Sequence, residues 1–238
     1  MRYDTFLLDL DHTLLDFARA ERDAVIRTLS AFGIGCGEEV VALYSAINDR
    51  FWKKLERGEI DRKTLQWKRF EELCSTQGYD CDPRAVSARY MEELQGCGYL
   101  LPGAEELCRT LRESGRIYFV TNGTKSVQVA RLARSGLGKY ADAVFISEEI
   151  GAEKPTRAYF DAVFAAIPDF CPQRTILIGD SLTSDMQGAC NAGVDGCWYN
   201  PTGRPLPPTW PEDRPIAYTV SALEEIPALI EPGSEGSV

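Results

Sequence analysis

The chain has 238 residues, with 36 acidic side chains against 26 basic ones and a formal charge of −10 at pH 7. That balance excludes a polyanion binder working through a basic face, because phosphate neutralisation needs clustered Lys and Arg that the sequence does not have to spare. His12 is the single histidine, which excludes multi-histidine metal sites, and eight cysteines without a Cys-x-x-Cys pair exclude zinc ribbons and redox motifs of that type. At 44% hydrophobic and 26% charged the composition is that of a globular protein. No apolar run approaches the roughly 20 residues needed to span a bilayer. Asp4, Asp9 and Asp11 interrupt the N-terminal stretch that a signal peptide would need. The expectation is a cytoplasmic protein whose cysteines are thiols, most of them small buried apolar residues.

Residues 6–10 form the first short apolar run and read as a buried strand. From about 16 to 96 the apolar spacing is helical throughout. Ala20, Ala24, Ile26, Leu29 and Phe32 line one helix, followed by helices over 40–55, 62–76 and 83–94, with glycine-bearing breaks at 33–35, 58 and 78–80. Pro102-Gly103 marks the return to an alternating pattern: helix 103–114, strand 117–121, helix 125–135, strand 143–146, helix 157–167, strand 175–179, helix 184–192 and a weaker strand at 196–199. The strands lack polar/apolar alternation and are separated by helices, which predicts a parallel sheet covered on both faces, a doubly wound α/β fold. The polar, turn-forming tail 231–238 is expected to be disordered. No internal repeat is present.

In open parallel sheets ligands bind beyond the carboxyl ends of the strands, so the polar residues that follow each apolar run form the candidate site. The first run leads into Asp9-Leu10-Asp11-His12-Thr13 and the second into Thr121-Asn122-Gly123; Glu153-Lys154-Pro155 follows the third, and Asp180-Ser181, with Asp185 shortly beyond, follows the fourth. Carboxylates gathered on one edge repel unless a cation holds them, and oxygen donors without histidine suit Mg²⁺ rather than zinc. Mg²⁺ shares its shell with substrate phosphates, which would bring a tetrahedral dianion beside Asp9 and Asp11. A carboxylate in line with phosphorus can form an acyl phosphate, and a second carboxyl two residues on can protonate the leaving oxygen and later deprotonate a water. Strand alternation would set both carboxyls on one side. Lys154 would supply a fixed positive charge, Thr121 and nearby N–H groups hydrogen bonds, and a helix starting near Thr124 would aim its N-terminus at the same anion. Ser184-Asp185-Met186-Gln187 resembles a capping box that would hold Asp185 at a helix start.

The order DLDHT, VTNG, a lysine in EKP and GDSLTSD resembles the four motifs of the haloacid dehalogenase superfamily, and the helical insertion after the first strand looks like its C1-type cap. The likeness runs from Phe6 to about Tyr218. Three further stretches, LLDFARAE at 14–21, INDRFWKKLERGEI at 47–60 and NAGVDGCWYNP at 191–201, resemble the subfamily of pyrimidine 5′-nucleotidases that also act on modified nucleotides. The resemblance implies a Rossmann-like α/β core over 1–15 and 97–230 with an inserted four-helix cap over 16–96. It implies Asp9 as nucleophile and metal ligand, and Asp11 as general acid/base and metal ligand through its backbone carbonyl. Thr121, Asn122 and Lys154 would hold the phosphate, Asp180 would bind Mg²⁺ directly, and Asp185 would act on the metal or through its waters. Dehalogenases of this superfamily lack the second aspartate, so Asp11 points to a phosphatase or phosphomutase. The expected substrate is a small phosphorylated metabolite, a nucleoside monophosphate, handled by a monomer or homodimer with no nucleic-acid polymer or membrane as partner. A phosphoglycolate or sugar-phosphate phosphatase, a phosphosugar mutase and a phospho-ligand-binding scaffold without turnover are the other readings.

Plainer roles compete at several positions. His12 departs from the residues its relatives often carry there and reads as a loop or cap contact. Phe17, Phe51, Trp52, Trp67 and Phe70 read as packing residues at helical spacing before they read as base-stacking ones. Asp185 has the alternative of an ordinary acid in the first turn of a helix.

Overall fold

The computed structural model describes residues 2–211 and 216–230. In chain order its elements begin with β1 (Thr5–Leu8), α1 (Phe17–Ala31), α2 (Glu38–Glu56), α3 (Arg62–Gln77) and α4 (Pro83–Gln95). They continue with α5 (Ala104–Ser114), β2 (Arg116–Thr121), α6 (Lys125–Ser135), β3 (Ala143–Ile146), α7 (Ser147–Ile150) and α8 (Arg157–Ala166). The last are β4 (Thr175–Gly179), α9 (Gln187–Ala192), β5 (Asp195–Tyr199), β6 (Tyr218–Val220) and α10 (Ile226–Ile230).

All strand pairs are parallel, and the sheet order is β3-β2-β1-β4-β5-β6. This is the doubly wound, Rossmann-like order, whose direction of winding reverses between β1 and β4. Successive residues Phe6, Leu7 and Leu8 in β1, and Ile176, Leu177 and Ile178 in β4, are all fully buried. Side chains alternate between the two faces of a strand, so burial without a gap means that both faces are covered, and the apolar runs are continuous for that reason. On one face Leu7, Val120 and Leu177 pack with Tyr159 and Phe160 of α8.

The strand expected over 6–10 ends at Leu8. The Leu10 carbonyl accepts hydrogen bonds from the N–H groups of Thr13, Leu14 and Leu15, so the chain is already turning at Leu10. Strand alternation therefore does not set Asp9 and Asp11 on a common side; the turn governs their directions. The weaker strand expected at 196–199 is β5, and β6 is an additional edge strand too short to carry a pattern of its own. The helix expected over 184–192 begins earlier, as a π-helical turn at Leu182–Met186 that passes into α9. Its capping residue is Ser181, whose hydroxyl accepts from the Ser184 N–H at 3.1 Å; Ser184 itself is buried and does not cap. The tail 231–238 lies outside the described residues.

The chain divides into two compact units, one built on the sheet and one comprising Phe17–Tyr99 with Ser126–Arg134. In the second, α3 starts at Asp61, whose carboxylate accepts from the Thr64 N–H at 2.7 Å, and ends at Gly78, whose φ of 69° is the left-handed conformation that favours glycine. The core of this unit contains Ala24, Tyr44, Phe51, Phe70 and Tyr90. It also holds a buried polar chain: Asn48 donates to Glu21 at 2.7 Å and Arg69 donates to Asn48 at 2.6 Å, linking α1, α2 and α3. Burial pushes the Glu21 carboxyl up, against the hydrogen bonds from Ser45 and Asn48 and the charge of Arg69. Of the aromatic residues singled out in the sequence, Phe51 and Phe70 are buried in this core and Phe17 and Trp52 pack against it, whereas Trp67 has the cations of Lys68 and Arg84 near its ring, 4.7 and 4.2 Å from its centre. No helix among the described residues is long and apolar enough to cross a membrane.

Candidate active site

The reversal of winding between β1 and β4 leaves a crevice at the carboxyl ends of these two strands. Asp9 follows β1 directly, and its N–H donates to the Ile178 carbonyl of β4 at 2.9 Å, which ties its backbone to the neighbouring strand. Asp180 follows β4, and Asp185 lies in the π-helical turn. Carboxylate oxygens of Asp9, Asp180 and Asp185 lie within 4.8 Å of one another, and Asp9 and Asp185 are buried. Asp11 is half-buried and is not one of this trio.

Lys154, 1% exposed, reaches into the trio. Its ammonium donates to Asp9 Oδ1 at 2.6 Å, to Asp185 Oδ1 at 2.7 Å and to the Val120 carbonyl at 3.0 Å, so all three of its N–H groups have an acceptor. Its backbone is fixed just as firmly. The Asn122 side chain donates to the Lys154 carbonyl at 2.9 Å and accepts from the Lys154 N–H at 2.8 Å, and Asn191 of α9 donates to the next carbonyl, that of Pro155, at 2.8 Å. The peptide bond between Lys154 and Pro155 is cis. Asn122, expected on the phosphate, uses both ends of its amide to hold the Lys154 backbone.

Thr13 is the residue the sequence reading passed over. Its hydroxyl donates to Asp9 Oδ2 at 3.0 Å, lies 3.4 Å from Asp180 Oδ1 and accepts from the Asp180 N–H at 3.1 Å. One buried hydroxyl therefore joins the ends of β1 and β4. The signal was available in DLDHT, where a threonine four residues after the first aspartate falls inside a tight turn. Asp180 is held further by Trp198 of β5, whose indole N–H donates to its carbonyl at 2.9 Å. Asp185 Oδ2 accepts from the Ser181 N–H at 3.0 Å. Thr121 is buried at the end of β2, and its hydroxyl accepts from the Gly123 N–H at 3.0 Å. The first N–H of α6, that of Lys125, donates to the Glu148 carboxylate at 2.6 Å, so this helix start already holds an anion of the protein's own. His12 occupies the turn at a φ of 65° and is exposed.

These groups carry an excess of negative charge in a desolvated place. Burial, with help from Asp185 and Asp11 and against Lys154, pushes the Asp9 carboxyl up to about 7. Burial and the charges of Asp9 and Asp185 push Asp180 well above the usual carboxylate range. Burial alone would lower the Lys154 ammonium, but Asp185 and Asp9 more than offset it and hold it above its ordinary value. One ammonium among three carboxyl groups makes a cluster whose candidate metal donors are all oxygen.

Comparison with known proteins places this arrangement. The model of the haloacid dehalogenase-like hydrolase family matches residues 3–193. The chain is a haloacid dehalogenase-like hydrolase. It is 40% identical to the pyrimidine 5′-nucleotidase PynA of Streptococcus pneumoniae over 202 residues, which cover 84% of this chain and 85% of that one. It is 37% identical to the HAD-hydrolase YfnB of Bacillus subtilis over 225 residues, 94% of each chain. The crystal structure of YfnB bound to magnesium superposes with a TM-score of 0.90 over 97% of this chain and 99% of that one, at 35% identity. The pyrimidine 5′-nucleotidase YjjG of Escherichia coli is 30% identical over 234 residues, 97% of this chain and 99% of that one. This hydrolase therefore has the Rossmann-like core that its motifs implied.

Proposed function

We propose that this hydrolase is a Mg²⁺-dependent phosphomonoesterase that forms an aspartyl-phosphate on Asp9 and acts on pyrimidine nucleoside 5′-monophosphates. The reaction rests on the setting of Asp9: one oxygen accepts from Lys154 at 2.6 Å and the other from Thr13 at 3.0 Å, which fixes the plane of a buried carboxylate at the topological switch point. Support for the substrate class comes from the similarity to PynA and YjjG, both named as pyrimidine 5′-nucleotidases.

The donor set fits a hard divalent cation. Asp9, Asp180 and Asp185 offer oxygen only, their oxygens share a small volume, and their charge exceeds what Lys154 balances. Asp9 and Asp180 are the direct ligands in this reading, joined by the Asp11 carbonyl, with Asp185 acting on the ion or its waters; the magnesium held by YfnB supports the choice of cation. When bound, Mg²⁺ supplies positive charge that lets a phosphate dianion approach these carboxylates.

The chain's own residues then do the following. Asp9 attacks phosphorus, so that an Asp9 O–P bond forms while the ester P–O bond breaks, and Asp11 gives its proton to the departing nucleoside oxygen. Asp11, now a carboxylate, takes a proton from the water that hydrolyses the acyl phosphate. Lys154 and Thr121 steady the phosphoryl oxygens as charge builds on them. The helical unit Phe17–Tyr99 takes the role of the cap and selects the leaving group; every residue assigned to the chemistry comes from the sheet unit.

The test is phosphate release from pyrimidine and purine nucleoside monophosphates, sugar phosphates and phosphoglycolate, with and without Mg²⁺. Pyrimidine monophosphates should rank first, and Asp9→Asn should lower turnover by about 10³-fold or more. Wild-type turnover in Asp9→Asn would remove the covalent mechanism, and sugar phosphates ranking first would remove the nucleotidase assignment.

A further inference from the structure

The helical unit carries two thiols in close contact. Cys74 lies in the last turn of α3 and Cys81 in the short connection to α4, and their sulfurs are 2.8 Å apart. Non-bonded carbons sit at their optimum about 3.5–4.0 Å apart, and sulfur is the larger atom, so these two sulfurs are pressed together. A disulfide would bring them to about 2.05 Å, which asks only for a small approach along a line already defined.

The connection is built to hold them there. Gly78, in the left-handed conformation, reverses the chain directly after α3, and the Tyr79 N–H donates back to the Cys74 carbonyl at 2.9 Å. At the other end the Asp82 carboxylate caps α4 by accepting from the Arg84 N–H at 2.9 Å, with Pro83 in the first turn. Between these two anchors Cys81 has little room to swing away. The pair is also asymmetric: Cys74 is 4% exposed, whereas Cys81 is half-buried and open to solvent on one side. A reachable thiol backed by a buried one is the arrangement in which an attacking thiol and a resolving thiol divide the work of thiol–disulfide exchange.

We propose that Cys74 and Cys81 form a reversible disulfide, a modification site that reacts with small disulfides of the glutathione class. The Cys81 thiolate attacks one sulfur of the small disulfide, which breaks that S–S bond and releases one small thiol. Cys74 then gives up its proton and attacks the Cys81 sulfur of the mixed disulfide, releasing the second small thiol. The two protein thiols lose two electrons, the small disulfide gains them, and both protons end on the small thiols. The new bond ties the last turn of α3 to the start of α4 across a short loop, so it stabilises the helical unit rather than disrupting it.

The sequence makes the test direct. Trypsin cleaves after Arg69 and Arg84 and releases residues 70–84, which contain both cysteines and no others. The full-length protein is equilibrated in glutathione buffers from reducing to oxidising, quenched in acid, alkylated, digested and weighed. In oxidising buffer this peptide should lose both alkyl labels and become lighter by two hydrogens, with full recovery on reduction, and the thermal midpoint of the oxidised protein should rise by several degrees. Cys81→Ser should abolish the mass change and the rise in midpoint, and Cys74→Ser should leave a glutathione adduct on Cys81. Two alkyl labels at every glutathione ratio, or a wild-type adduct on Cys81 that never resolves to the internal bond, would overturn the proposal.

Discussion

Gly179 closes β4, and what surrounds it sets a sharp expectation for Gly179→Ala. A Cβ there would lie 2.3 Å from Asp185 Oδ2, 2.4 Å from its Cγ and 2.7 Å from its Cβ. The nearest atoms all belong to one side chain, and that side chain is not free to yield. Asp185 is 1% exposed, with one oxygen on Lys154 at 2.7 Å and the other on the Ser181 N–H at 3.0 Å. Hydrogen bonds to charged groups contribute about 1.5–3 kcal/mol each, and overpacking a filled interior costs about 1–3 kcal/mol. Lys154 keeps Asp9 as a partner after the displacement, so the lower part of the combined range applies, roughly 3 kcal/mol of folding stability. Urea unfolding followed by tryptophan fluorescence reads this as a lower midpoint with an unchanged slope. Because the atoms the methyl group would meet most closely all belong to Asp185, Gly179→Ala added to Asp185→Gly should cost much less than it does alone, a coupling that is a large part of the single effect. Wild-type stability in Gly179→Ala, or two effects that simply add, would refute the close-approach argument.

Thr13→Val keeps the shape of the side chain and removes the hydroxyl shared by Asp9 and Asp180. The loss of hydrogen bonds to buried carboxylates should lower kcat by roughly tenfold to a hundredfold and weaken Mg²⁺ binding measured by calorimetry; unchanged values for both would show that Thr13 only fills space. Stability should depend on pH in a direction set by Asp9. Its folded pKa, raised to about 7 from 3.8, means that between those values the folded chain holds a proton that the unfolded chain has released. Metal-free protein should therefore lose stability as pH rises from about 4 to about 7, and the rise in Tm on adding Mg²⁺ should be larger near pH 7 than near pH 5. A metal-free Tm that climbs through this window would contradict the desolvated setting of Asp9.

The sheet was legible because its strands are buried on both faces, which writes continuous apolar runs such as residues 175–179 into the sequence. The candidate site was legible for a related reason, since a parallel sheet exposes its chemistry at strand ends and the polar residues there stand out against the runs before them. The rest depends on partners distant along the chain. Thr13 acquires its significance from Asp180, and Asn122 from the backbone of Lys154. The sequence pattern points to Ser184 as the cap, and the early π-helical start of the turn gives that role to Ser181 instead. β6 carries too few residues to declare a period.

Charge links the site's visibility to its chemistry. Fully ionised, Asp9, Asp180 and Asp185 against Lys154 would leave an excess of two negative charges in a largely buried place, and that cost is what raises Asp9 and Asp180 above the usual carboxylate range. A hydrolase with no cation to bind would gain stability by replacing one of these aspartates with an apolar residue. Keeping all three makes physical sense if a dication completes the site, because the ion favours the charged forms that burial otherwise disfavours and displaces the protons they hold. The net charge of −10 does not oppose this: attraction of a small phosphate depends on Lys154 and the proposed Mg²⁺ at short range, while the distant carboxylates on the surface are screened by salt within about 10 Å. A long polyanion would meet those surface charges along its whole length, whereas a single phosphate monoester meets only the pocket.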